Sequence, residues 1–194
     1  MKEWDVDIIA IPMGFASSHR AINDAIVFAH EKSKVIFAGA GIQGPNNPRM
    51  YPANSPFVVA IHGADGNGTN MDFNPLPQTG EDNFSTLSII SRPEIEVSYT
   101  GDHKLAYGPH VALAVACGIT AELLKYVHHI LKLTDSDERK WLYSPDGVRE
   151  ILRTVSTKKD GYDFISPWLV WSVDTDAKTI RDLFTAIINT RKKQ

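Results

Sequence analysis

His110 is the residue of this sequence best placed to do chemistry. Gly108 and Pro109 precede it, and proline suits a first helical position. From Pro109 to about Leu133 the chain is mostly small and aliphatic and reads as one long helix. A histidine in the first turn lies at the positive end of the helix dipole, which disfavours imidazolium. A neutral imidazole both accepts and donates a proton, as general acid–base catalysis requires. Asp102, His103, Lys104 and Tyr107 lie just upstream, in the loop leading into the helix. An imidazole beside a carboxylate and a phenol suffices for proton transfer, so His110, Asp102, His103 and Tyr107 form the candidate catalytic set. A second reading stays open: a histidine without an identified partner also serves to fill space and bond to its loop, and such a loop is polar wherever it meets solvent.

Other motifs carry less. Gly39-Ala40-Gly41-Ile42-Gln43-Gly44 fits the dinucleotide pattern G-x-G-x-x-G, with Asp65 about twenty residues on. That motif needs a helix to meet the pyrophosphate, and Pro45-Asn46-Asn47-Pro48 cannot open one cleanly. A loop lining a cleft is the expectation, and no cofactor. Asp65-Gly66-Asn67-Gly68-Thr69-Asn70 resembles half a calcium loop, but Leu76 stands where the closing glutamate belongs. A turn is expected there, and no metal. His62, after the third predicted strand, either faces the cleft or is buried and satisfied. His128 and His129 fall far along the long helix.

The chain has 194 residues, 43% hydrophobic and 22% charged, with a net charge of −3. These values suit one globular domain with a sizeable core. No basic stripe points to nucleic acid. The single cysteine, Cys117, builds no intrachain disulfide framework and reads as a packed thiol. The first residues lack the apolar run of a signal peptide, and no stretch reads as a membrane span. A reducing, cytoplasmic location and no membrane partner are expected.

The elements needed to position His110 can be read from periodicity. Val6 to Ile11 is a short β-branched run stopped by Pro12. Arg20 to Lys32 has helical spacing, with Ile22, Ile26 and Ala29 on one face. Val35–Ala38 and Val58–Ile61 are further strands. Pro45, Pro48, Pro52 and Pro56 mark an extended loop between them. Gln78 to Asn83 is polar and expected to be exposed. Ser88–Ile90 and Ile95–Tyr99 are short candidate strands. Two more helices are expected over Asp146–Ser156 and Ala177–Arg191. Strand, helix, strand, strand suits a parallel sheet with helices on its faces.

Several segments resemble subtilisin-like serine peptidases. That family reads Gly-Ser/Thr-Ser-x-Ala-Thr at the start of its nucleophile helix, and Gly108, Ala112, Ala114, Ala116, Gly118, Ala121 and Leu123-Leu124 keep the small and apolar frame. Val6 to Phe15 is similar to the family strand that ends in Ser-Met-Ser-x-Gly and walls the substrate cleft. Lys34 to Gly44 is similar to its Val-x-Phe-Ala-Ala-Ala-Ser-Asn-x-Gly. Tyr51-Pro52-Ala53, Val58 to Gly66, Asp82 to Leu87, Tyr143 to Arg149 and Asp160 to Trp168 resemble an intracellular branch. The resemblance implies an α/β fold: a partial subtilisin-like parallel sheet flanked by helices (1–133) with a helical C-terminal extension (134–194) packed on the same domain. It also implies that Met13, Gly14, Gly39, Gly41, Ile42 and His62 border the old substrate cleft.

The departures matter as much. His110 stands at the serine position and Ile42 at that of the oxyanion-binding asparagine. The family's catalytic Asp and His precede the strand that opens this chain. The triad acts as a unit and an aliphatic side chain donates nothing to an oxyanion. The resemblance therefore implies a degenerate member without peptidase activity. Two functions remain. One is a cleft holding an apolar small molecule or peptide, with acid–base chemistry by His110 of isomerase, lyase or cyclase type. The other is a non-catalytic pseudopeptidase that binds a peptide or protein. Because the resemblance leaves Val6–Ile11 at a sheet edge, a homodimer through that edge or the adjoining face is expected, with the tail Trp168–Ile188 as the alternative cover.

Overall fold

In the computed structural model, the described residues are 5–80, 82–87, 108–134, 136–171 and 175–190. The expected strands Ser88–Ile90 and Ile95–Tyr99 lie outside them. The elements run β1 (Ile8–Ile11), α1 (Arg20–Glu31), β2 (Val35–Gly39), β3 (Val59–Ala64), β4 (Phe84–Leu87), α2 (Pro109–Leu131), α3 (Ser136–Leu142), α4 (Pro145–Thr154), β5 (Ser156–Lys159), β6 (Tyr162–Ile165), a 3-10 turn (Pro167–Leu169) and α5 (Ala177–Thr190). They build a six-stranded sheet in the order β1-β2-β3-β4-β6-β5. All neighbours are parallel except β5 and β6.

Alternation along β2 and β3 divides the core between the two faces of the sheet. Val35, Phe37, Val59 and Ile61 meet α2, α4 and α5 on one side. Ile36, Ala38 and Ala60 meet α1 and the proline-rich loop on the other. A strand buried on both faces reads as a continuous apolar run, which is why Val-Ile-Phe-Ala marks β2 so clearly. The helix α2 is 23 residues long and apolar enough, by length and composition, to cross a bilayer, which corrects the expectation that no stretch would be. Nine of its residues, from Pro109 to Val127, are buried in the fold.

The C-terminal region is more than a helical extension. β6 inserts beside β4, pairing Phe84 with Asp163 and Ser85 with Phe164, and β5 closes that edge of the sheet. Four-residue strands with one polar member, such as Tyr-Asp-Phe-Ile, carry too little alternation to show in the sequence. Ser144 caps α4 by accepting a hydrogen bond from the Gly147 amide, 3.2 Å away, with Pro145 in the first turn. Arg149 and Arg153 project from α4 onto the Asp82 carboxylate, tying that helix to the start of β4.

Asn83 corrects the expectation that Gln78–Asn83 is exposed. It is buried, its amide exchanging bonds of 2.8 and 2.9 Å with the Gln78 backbone and accepting another from Arg49 at 2.6 Å. The tail docks on α2 and α4 through Ile180, Phe184 and Ile188. The outer edge of β1 pairs with no strand among the described residues.

Candidate functional site

Three chain segments converge at the carboxyl ends of β1 and β2 and the amino end of α2. Phe15 and Tyr51 exchange backbone hydrogen bonds of 2.7 and 3.0 Å, which pins the segment after β1 to the loop after β2. The Met50 amide bonds to the Ala40 carbonyl at 2.9 Å, folding that loop back beneath Gly41. Glycine is required at Gly41, whose φ is +135°. A Cβ at Gly14 would lie 2.8 Å from the Met50 Cβ, so Met50 fills the space of a side chain there. Pro109, first residue of α2, packs on Gly39.

These contacts leave a groove of about 410 Å³ lined by Pro12, Met13, Gly14, Gly39, Gly41 and Ile42, together with Gln43, Met50, Pro109 and His110. Met13 is 58% and Ile42 65% exposed, high values for side chains of this size. The imidazole of His110 is exposed and folds back over Gly108, where an added Cβ would sit 3.0 Å from Cε1. Apolar walls with one polar, proton-exchanging group are the usual make-up of a small-ligand site. Among the described residues none forms an ion pair with His110, whose side chain is exposed at the groove.

Of the residues expected from the sequence, the structure brings Met13, Gly14, Gly39, Gly41, Ile42 and His110 to one groove. Asp102, His103 and Tyr107 lie outside the described residues. His62 is not at the groove, which corrects its assignment to the cleft. It lies 0% exposed within the sheet, where Nδ1 donates to the Phe84 carbonyl at 2.9 Å and the ring meets Tyr162 edge-on at 5.0 Å. β3 continues to Ala64, so His62 is an interior strand residue rather than part of the following loop. Met50, Gln43 and Pro12 also line the groove and are not among the residues expected from the sequence. Met50 comes from within the proline-rich loop, and the Phe15–Tyr51 bridge together with its own bond to the Ala40 carbonyl brings it under the groove.

The two decoy motifs resolve by geometry. Gly39–Gly44 runs into a loop with Gly44 at φ +83°, and no helix opens between it and β3. The Asp65 carboxylate is spent on its own turn, accepting from the amides of Asn67 at 2.8 Å and Thr69 at 2.7 Å.

Burial, with the Arg49 charge adding to it, pushes His62 down from 6.5 to about 3. The unfolded chain therefore takes up a proton at His62 below pH 6.5 that the folded chain refuses. Stability is full above that value and is lost as pH falls toward 3. Going from pH 7 to pH 5 should cost about 2 kcal/mol through this group alone. His62→Gln cannot titrate and is expected to lose that much less over the same interval, as urea unfolding at the two pH values would show.

The sheet order, the helix that starts at the cleft and the groove between them define a subtilisin-like protease fold. In particular, the chain is similar to the protease domain of PatA in a serine-to-alanine mutant (TM-score 0.65, 18% identity, 94% of this chain and 61% of that one). The self-cleaved PatA protease domain (TM-score 0.59, 19% identity, 94% and 63%) and the PatG macrocyclase domain (TM-score 0.62, 16% identity, 95% and 54%) are similar in the same way. The chain thus spans less than two thirds of each of these structures. No family model and no curated protein matches the sequence.

Proposed function

We propose that this protein is a degenerate subtilisin-like fold that binds an apolar small molecule in the groove at the start of α2, with His110 moving a proton on the bound ligand. The carrying observation is that Met13, Ile42, Met50 and His110 line one groove. Isomerisation, elimination and cyclisation of an apolar carbonyl compound all begin or end with such a transfer. An enolisable apolar ketone, 4-phenylbutan-2-one, is a suitable probe. Its α-hydrogens should exchange for deuterium faster in the presence of the protein than with free imidazole at equal concentration. No acceleration would sink the catalytic reading.

Peptide hydrolysis is not part of this proposal. The serine position holds His110 and the oxyanion position Ile42, so neither nucleophile nor donor is present there. A fluorophosphonate probe should label no serine, and a general peptide substrate should remain intact. Labelling at any serine would overturn the assignment.

The second reading is a non-catalytic module that binds an extended peptide. One observation favours it: β1, whose outer edge pairs with no strand among the described residues, continues directly into the groove wall at Met13 and Gly14. The two readings separate in the same titration. A peptide that binds while the ketone neither binds nor exchanges selects the second. The terminal place of β1 among the described strands also supports a proposed homodimer, in which two copies pair β1 with β1 about a two-fold axis.

A further inference from the structure

A second concavity lies on the outer side of α2, beginning roughly two helical turns beyond His110. It has a volume of about 500 Å³, within the range of small-ligand sites. Ile119, Leu123 and Tyr126 of α2 form one wall, and Pro167 and Trp171 the other. The Tyr126 and Trp171 rings stand edge to face, 5.2 Å apart at 78°, and thus present two differently oriented π surfaces. Trp171 is held from behind by Phe184, at 6.2 Å. Glu122 is the single charged lining residue among those described, and it is exposed. No ion pair to Glu122 is formed among the described residues.

Two perpendicular aromatic rings beside one carboxylate are complementary to a cation that carries apolar bulk. The ring faces attract positive charge, the aliphatic wall takes hydrocarbon, and Glu122 supplies the counter-charge. The geometry points to this groove as a binding site for a small organic ammonium compound with an aryl or alkyl body. A neutral apolar ligand would gain nothing from Glu122. A compact, strongly hydrated cation would gain nothing from the wall. The site is independent of the chemistry assigned to His110.

Gly118 provides a clean test. A Cβ there meets nothing within 4 Å, and the residue lines the groove. Gly118→Leu therefore adds bulk to the groove while removing no contact, and it favours the helix. Benzyltrimethylammonium, titrated against the full chain by calorimetry, should bind at least about fivefold more tightly than benzyl alcohol, the same ring without the charge. Gly118→Leu should abolish that binding while the protein melts no lower than the parent. Glu122→Gln should weaken it about threefold, as suits an exposed charge. His110→Ala should bind the probe unchanged. Equal affinity for the charged and neutral compounds, or undiminished binding in Gly118→Leu, would overturn the assignment.

Discussion

His110→Ala should lower the proton-exchange rate of a bound apolar ketone by about tenfold or more, with a melting temperature within a few degrees of the parent. The large effect follows from the absence of any other proton-transfer group among the described lining residues of the groove. The small change in stability follows from the exposure of His110, whose side chain contributes little packing. His110→Gln keeps a hydrogen-bonding group of similar reach but cannot take up a proton, so it should be as slow as alanine. If both variants exchange normally, His110 plays no part in the chemistry. If both unfold, its role is structural. If only glutamine is active, His110 positions the ligand by hydrogen bonding.

The second large effect concerns the proposed homodimer. The Asp7 carbonyl accepts from the Val35 amide at 3.0 Å, so odd-numbered residues of β1 face β2 and the amides and carbonyls of Ile8 and Ala10 face outward. Antiparallel pairing about Ile9 would place Ile8 opposite Ala10 of the second copy, and Ala10 opposite its Ile8, with reciprocal hydrogen bonds at both. It would also keep Asp5 and Asp7 away from their own copies, which a parallel arrangement would stack. Light scattering at roughly 10 µM should give about twice the 21.5 kDa of one chain. Ala10→Pro removes an outward amide without touching the β1–β2 ladder, and proline is tolerated on edge strands. It should return the protein to a monomer with its fold intact. A monomeric parent would refute the pairing.

Much of the scaffold was legible in the sequence because its signals are local and strong. The β-branched run of β1, the apolar run of β2 and the proline opening α2 are each contained in a few consecutive residues, and the expected boundaries agree with the elements to within a few residues. The resemblance to subtilisin-like peptidases predicted an α/β fold with a largely parallel sheet and flanking helices, and the fold is of that class. It was also the source of the groove residues Met13, Gly14, Gly39, Gly41 and Ile42, which no periodicity could have brought together.

The misses depend on distant partners. Asn83 looked like loop polarity, but it is buried because Arg49 and the Gln78 backbone satisfy its amide. His62 looked like a loop histidine because the strand that holds it runs three residues beyond its β-branched run. Met50 carries no mark of a lining residue until Tyr51 and Phe15 are seen to pair. The helix α3 is short, has no long apolar face and so leaves no helical signal in the sequence.

The place of β6 also bears on how the chain becomes folded at all. β1 to β4 follow one another across the sheet, but the far side of β4 is met by a strand some eighty residues downstream, where the Asn83 amide reaches Asp163. A nascent chain that has already emerged through α2 still has β4 open on that side, and it must wait for the last fifth of the sequence before the sheet can close. Contacts of such sequence separation fold slowly, because the loop must be closed before the pairing rewards it. The interval between synthesis of β4 and arrival of β6 is the period when this protein is most exposed to wrong strand partners. Synthesis rate and chaperone supply should therefore govern its yield more than the stability of the finished fold does.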